Sequence, residues 1–198
     1  MYIPAAFAET DLPKLHDFIE QNSFGLLVCQ VDGLPFASHL PFLLERTSGP
    51  HGTLVGHMAR ANPQWEQIGG KTALVVFSGP QSEQVVPTWN YTAVHAYGGV
   101  ELVQNEDGLL DIVQKSVLLY EQSMPQPWPF DPTSVFVKRL LTQIVGFRIK
   151  IENIEGKFKL NQNQPVERRQ KVVRALQQRG DENALAVAAM MQAKLDKE

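Results

Sequence analysis

The 198-residue sequence predicts a mainly β fold of the α+β class, an antiparallel barrel with peripheral helices. Three observations predict it. Asp32-Gly33 separates two apolar runs, which is the signature of a tight β-hairpin. Six segments read as strands, with few connections long enough for the helical crossovers of a doubly wound sheet. Residues 93–103 and 144–156 alternate apolar and polar side chains, the period of a strand with one face in a core.

The elements follow in order. Thr10 can cap a helix over 11–21, with Leu12, Leu15, Phe18 and Ile19 on one face. FGLLVCQV (24–31) and LPFASHLPFLLE (34–45) form the hairpin, and GTLVGHM (52–58) is the next strand. Asn62-Pro63 opens a short helix that stops at Gly69-Gly70, since proline suits the first helical position. TALVVF (72–77) is apolar on both faces, as a buried strand is, and ends at Ser78-Gly79-Pro80. In AVHAYGGVELV (93–103), Val94, Ala96, Val100 and Leu102 point one way, and His95, Tyr97 and Glu101 the other. A helix over 106–122 carries Leu109, Ile112, Val113, Val117 and Tyr120 at helical spacing. Asp131-Pro132 precedes another at 134–143. IVGFRIKIENIEG (144–156) sets Val145, Phe147, Ile149 and Ile151 against Arg148 and Lys150. Two final helices, about 165–179 and 182–196, are divided by Gly180-Asp181.

Composition sets limits on function. A hydrophobic fraction of 43% and a charged fraction of 20% are those of an ordinary globular domain. Folding a chain of this length hides about 70% of its extended surface, enough for a core without staples. The single cysteine, Cys29, excludes an internal disulfide and a cysteine-based zinc site, and its apolar surroundings read as core. No uncharged stretch has the length of a membrane span, and MYIPAAFAETDLPK lacks the basic flank and apolar run of a signal peptide. A cytoplasmic protein with no membrane partner is therefore expected.

The net charge of −3 conceals a strong division. Residues 1–137 hold 5 Lys+Arg against 14 Asp+Glu, whereas residues 138–179 hold 11 against 3. The basic segment 138–179 can face phosphate or nucleic acid, or it can lie against the acidic part of the same chain or a partner. Overall acidity opposes strong non-specific DNA binding, which needs many phosphate contacts.

Three places concentrate chemistry. In GHMARANPQW (56–65) a strand ends, Arg60 follows, and a helix begins two residues later. Free N–H groups at the helix start and the guanidinium fork suit a phosphate, with His57 as a further donor. A solvated turn is the plainer reading. In VVPTWNYTAVHAYG (85–98), Trp89, Tyr91, His95 and Tyr97 can flank a planar ligand or form a core, and Pro87 and Asn90 make the entrance irregular. In IEGKFKLNQN (154–163), Lys157 and Lys159 alternate with Phe158 and Leu160, either as a half-buried strand with solvated lysines or as phosphate contacts. His39, His57 and His95 lie on different strands without metal-ligand spacing, so no metal is expected. GxSxG, P-loop and GxGxxG motifs are all absent, and no catalytic residue can be named.

SHLPF (38–42), GHMARANPQW (56–65), VPTWNY…VHAYG (86–98) and IVGFRIKIENIEGKFKLNQN (144–163), in that order, resemble the PaiB-like family, described as FMN-binding negative transcriptional regulators. The resemblance runs from the opening MYIP to the last helix. One departure stands out: the family run usually reads GKFKLSQN, and here Asn161 replaces the serine. The resemblance implies an FMN-binding split β-barrel over residues 1–163, followed by a helical extension over 164–198 packed on the barrel or on a partner chain. It implies a homodimer with FMN at the interface. Arg60 and Asn62 would hold the phosphate end, and His57, Met58 and Ala59 would run along the ribityl chain. Ser38, His39, Leu40 and Pro41 would lie beside the ring system, with Trp89, Asn90 and Tyr91 as ring neighbours and Lys157 and Lys159 as further contacts. The alternatives are a flavin-dependent oxidoreductase without direct DNA binding and a haem-handling split barrel. DNA, if bound directly, would meet the basic helix VERRQKVVRALQQRG (166–180).

Overall fold

The computed structural model describes residues 1–84, 88–122 and 124–196. After a 3-10 turn (Ala5–Phe7) come β1 (Ala8–Glu9), α1 (Leu12–Gln21), β2 (Phe24–Val31), β3 (Leu34–Pro41), β4 (Leu43–Glu45) and β5 (Thr53–Ala59). There follow α2 (Gln64–Ile68), β6 (Thr72–Gln84), β7 (Thr88–Val103), α3 (Glu106–Glu121), α4 (Val135–Leu141), β8 (Ile144–Lys159), α5 (Val166–Arg179) and α6 (Glu182–Leu195). The antiparallel sheet runs in the order β3-β2-β6-β7-β8-β5-β4, and β1 pairs with β8.

The chain forms two units, residues 1–18, 77–95 and 155–198 in one, and residues 19–76 and 96–154 in the other. In the larger unit the sheet curls until its end strand β3 stands beside β5. The Pro41 carbonyl lies 3.2 Å from where a Cβ on Gly56 would be, and Asn62 donates to Ser38 Oγ at 2.8 Å. Among the described residues β3 has its ladder only with β2, and β5 has its ladders with β4 and β8. Such a barrel, closed on all but one seam, is the split barrel of the expectation.

Local chemistry explains the elements. Asp32 and Gly33 take φ of 52° and 77°, the two left-handed residues that a type I′ hairpin turn requires. On β8, Val145, Phe147, Ile149 and Ile151 are all fully buried, as the alternation demands. The Phe147 ring lies over Gly56 and meets the Phe42 ring edge-on at 5.8 Å. On the outer side α3 covers Gly146, where a Cβ would stand 2.7 Å from Ile112. Leu43, Val55 and Ile112 pack together there, with Val103 and Tyr120 against them. Asn105 caps α3 by accepting from the Gly108 amide, and Ser134 caps α4 by accepting from the Phe136 amide.

In the smaller unit, α1 sets Phe18 against Phe158, with ring centroids 5.3 Å apart. α5 and α6 form a helical hairpin. Gly180 ends α5 at φ 73°, and Asp181 caps α6 by accepting from Ala184 N at 2.9 Å. Val173 and Leu176 on α5, and Ala184, Val187, Ala188 and Met191 on α6, are buried. The two helices therefore share a unit with residues 1–18 and 77–95.

Three boundaries differ from the sequence reading. The run 34–45 is two strands, broken at Phe42, whose amide bonds to Ser23 O at 2.9 Å while its ring turns into the core. β6 continues through Ser78-Gly79-Pro80 to Gln84, and β7 starts five residues earlier than expected, at Thr88. Gly79 is needed in β6, since a Cβ there would stand 2.6 Å from the Phe18 ring. The expected irregular entrance at Pro87 lies outside the described residues.

Candidate functional site

Strand β5 delivers Arg60. Along it Leu54, Gly56 and Met58 turn to the barrel interior, and Val55 and His57 to the outer side. Met58 is 2% exposed, so its side chain belongs to the core. His57 is half-buried, and that burial holds its pKa below the usual histidine value. Ala59 is exposed at the strand end.

Arg60 then ties three elements together. Its amide donates to Gln143 O at 2.7 Å, its Nε to Thr142 O at 3.0 Å and its Nη2 to Ile144 O at 2.9 Å. Thr142 is the C-cap of α4, where unpaired carbonyls and the helix dipole favour a cation. Trp65 donates its indole N–H to Arg60 O at 2.8 Å, and its ring centroid stands 5.7 Å from the guanidinium. Two of the guanidinium's five N–H groups are used in this way. The side chain lines a cleft of about 560 Å³ with Gln104, Glu106, Leu109, Lys138 and Thr142.

Asn62 serves the turn beside it. Its Oδ1 accepts from Gln64 N at 3.0 Å and its Nδ2 donates to Ser38 Oγ at 2.8 Å. The amide that would greet an anion at the start of α2 is thus already bonded, and α2 is only five residues long. Among the β3 residues, His39 is exposed and stacks on Phe24 at 6.2 Å, while Leu40 and Pro41 are half-buried. The structure therefore joins Ser38 to Asn62 and sets Arg60 in a cleft with Lys138.

The second group lies in the smaller unit. Trp89 is 48% exposed, Tyr91 half-buried and Asn90 fully buried. Asn90 Nδ2 lies 3.9 Å from Met191 Sδ, and its Oδ1 has no hydrogen-bond partner among the described residues. Lys157 is buried, contrary to a solvated lysine: Nζ donates to Tyr2 O at 3.1 Å and sits 5.2 Å and 5.6 Å from the ring centroids of Tyr91 and Tyr2. Lys159 donates to Trp89 O at 2.8 Å. Both ammonium groups are thus held by carbonyls, with Lys157 also held by aromatic rings. Asn161 takes φ 64°, a conformation that asparagine tolerates far better than serine. The substituted position therefore has a backbone role, and its carbonyl accepts from Gln164 N at 2.9 Å.

Sequence reasoning missed Lys138, Gln104, Glu106 and Thr142 as neighbours of Arg60. The signal available for Lys138 was its place at the head of the basic segment, after the Asp131-Pro132 turn. Among the described residues no three His, Cys, Asp or Glu side chains cluster as metal ligands, and no helix is long and apolar enough to cross a membrane.

Residues 1–153 match the family model described as "Putative FMN-binding domain". The Bacillus subtilis "Protease synthase and sporulation protein PAI 2" is 35% identical over 208 residues, covering 100% of both chains. Among solved structures, the flavocytochrome Anf3 from Azotobacter vinelandii aligns with a TM-score of 0.62 at 13% identity, over 77% of this chain and 69% of that one. The FAD and heme binding protein from Mycobacterium smegmatis aligns with a TM-score of 0.58 at 15% identity, over 83% and 78%. At these identities the two solved structures speak for the fold.

Proposed function

The chain belongs to the FMN-binding-domain family that its residues 1–153 match, and from that premise we propose a PaiB-like flavoprotein that acts as a homodimer in negative control of transcription in the cytoplasm. Its cofactor is FMN. The observation that carries the assignment of the site is the Arg60 cleft. A guanidinium fixed by two backbone carbonyls keeps three N–H groups to offer, and the Lys138 ammonium stands in the same cleft. This donor set fits a phosphate. Leu109 and Leu141 add apolar wall, and the Glu106 carboxylate in the same cleft offsets part of the positive charge.

When bound, FMN supplies hydride and one-electron chemistry. The chain binds and orients it: Arg60 is held in place before the ligand arrives, and Lys138 neutralises charge. No proton-transfer residue is needed for this role, so the reading covers a sensor as well as a reductase.

Titration of FMN against the protein, read by flavin fluorescence, tests the assignment. Lys138→Ala removes an exposed charge and is expected to weaken binding about 5- to 30-fold, as loss of a charge-assisted hydrogen bond does. Equal affinity in the variant would refute the phosphate assignment.

A second observation favours direct DNA contact. Arg168, Lys171 and Arg174 are exposed at three-residue spacing along α5, whereas Arg169 is 4% exposed and belongs to the packing. The DNA-facing set is therefore three residues rather than the whole basic run. A gel shift at low salt that disappears in the triple alanine variant supports this reading, and no shift by the native protein at low salt ends it.

A further inference from the structure

The segment between α3 and α4 has no part in the proposed flavin site, yet it is built with care. Residues 124–132 read MPQPWPFDP, so Trp128 stands between two prolines. Proline fixes its own φ and restricts the residue before it, which stiffens the chain on both sides of the ring. The Trp128 amide donates to Glu121 Oε2 at 2.8 Å, and the Trp128 ring meets the Phe130 ring edge-on at 5.8 Å. Trp128 is nonetheless 42% exposed, although tryptophan is among the side chains that gain most from burial. With Val117, Leu118 and Glu121 of α3, the two rings line a hollow of about 260 Å³ in the larger unit.

The electrostatics of this hollow have one sign. Glu121 is the charged side chain that lines it. Its carboxylate accepts from the Trp128 amide and has no ion pair among the described residues. The single lysine of α3, Lys115, is engaged by Asp111 and Glu45. α3 ends at Glu121 with no basic residue in its last turn, so the chain itself does not answer the negative end of the helix dipole there. Aromatic ring faces are negative as well. Carboxylate, helix end and rings thus all favour a positive guest.

The lining narrows the class. A calcium ion takes about six to eight oxygen ligands, and the hollow offers one carboxylate beside the side-chain amides of Gln114 and Gln122. An anion would be repelled by Glu121. A neutral hydrocarbon would strip water from the carboxylate and give nothing back. A primary ammonium would lose hydrogen bonds to water against Val117 and Leu118, whereas methyl groups on the nitrogen have none to lose and match that wall. We infer that this hollow binds a small organic cation of the quaternary ammonium class, free in solution. Its methyl groups rest on Trp128, Phe130 and Leu118, and Glu121 balances its charge. The volume is below the range for drug-sized ligands and suits a cation of the size of choline. The site shares no lining residue with the Arg60 cleft, and flavin binding is not required for it.

The test uses the full-length protein with 5-fluorotryptophan in place of tryptophan, the Trp128 ¹⁹F signal being assigned through Trp128→Phe. Choline is the probe, and 3,3-dimethyl-1-butanol, of the same shape without the charge, is its counterpart; both are titrated at constant ionic strength. The expected result is a saturable shift of the Trp128 signal with choline, with the alcohol binding at least about fivefold more weakly. Glu121→Gln keeps an acceptor for the Trp128 amide and removes the charge. It is expected to weaken choline about two- to fivefold and leave the alcohol unchanged, at an unchanged melting temperature. Phe130→Leu keeps the apolar bulk without the ring and is expected to weaken choline by a similar factor, about two- to fivefold. Leu118 is exposed on α3, so Leu118→Lys sets a competing ammonium in the hollow without touching the core and is expected to abolish the shift. A choline shift that stays linear, equal affinity for choline and the alcohol, undiminished choline binding by Glu121→Gln, or full binding by Leu118→Lys would each overturn the inference.

Discussion

Arg60→Ala probes the junction on which the proposed flavin site stands. The variant removes a hydrogen bond to Thr142 O at 3.0 Å, a second to Ile144 O at 2.9 Å, and the guanidinium–Trp65 contact. Hydrogen bonds to charged groups contribute about 1.5–3 kcal/mol each when desolvated. This side chain is half-buried, and water can reach the exposed Thr142 carbonyl, so the lower end applies. The cation–π contact adds about 0.5 kcal/mol at such exposure. The total is about 3.5 kcal/mol, which for a chain of this size is about 7–14 °C in melting temperature. The assay is urea and thermal unfolding without FMN. Arg60→Lys should recover little, because one ammonium cannot reproduce the fork that reaches two carbonyls. If flavin-free Arg60→Ala unfolds within about 0.5 kcal/mol of the native protein, the size of change ordinary for a plain surface substitution, the staple does not exist. FMN affinity of Arg60→Ala must then be measured well below its own melting temperature, and its comparison with Lys138→Ala separates loss of a phosphate contact from loss of the scaffold.

Other outcomes follow from the same geometry. Gly98→Ala would bring a Cβ to 2.0 Å from the Lys150 carbonyl oxygen, so it should cost more than about 3 kcal/mol and yield little folded protein on expression. Gly33→Ala meets nothing within 4 Å and has only its left-handed φ to support, so its loss in urea should stay near 1 kcal/mol. Burial lowers the pKa of His57, so the unfolded chain takes up a proton that the folded chain refuses: stability should fall as pH drops below about 6.5, the unfolded value, and His57→Gln should flatten that limb of urea midpoints measured across it. His95, also lowered by burial despite Glu155 nearby, should account for part of the slope that remains. Asp181→Ala removes the side chain that accepts the Ala184 amide and should cost about 1 kcal/mol, seen as a lower melting temperature.

Much of the fold was legible because local chemistry and global packing agree. Asp32-Gly33 permits one kind of turn, and the alternation over Val145–Ile151 permits one buried face. Gly180-Asp181 marked the break between the last two helices, whereas Asp131-Pro132 marked only the approach to α4, whose cap is Ser134. The break at Phe42 was not legible, because nothing in LPFLLE marks it: the ring leaves the strand to reach Phe147, a partner more than a hundred positions away. Lys157 illustrates the same limit. A lysine between apolar residues reads as solvated, and only the fold brings two tyrosine rings and a carbonyl to bury it. At the candidate site the sequence pointed to Arg60 but not to its anchors, since Thr142 and Ile144 offer backbone carbonyls, which every residue possesses.

The seam between β3 and β5 has a mechanical consequence. Parting β2 from β3, or β5 from β8, breaks a run of backbone hydrogen bonds, whereas β3 and β5 are clasped by the Ser38–Asn62 bond and by the close approach of Pro41 to Gly56. Away from the Pro41 end, which the chain itself ties to β5 through Phe42 and the β4 ladder, the unit can loosen along that line while every ladder stays intact, like a cuff undone at its button. Opening there is resisted by two side chains rather than by a backbone ladder. In hydrogen exchange, Ser38→Ala should quicken the amides around Gly56 and Asn62 and leave the β2–β3 ladder protected.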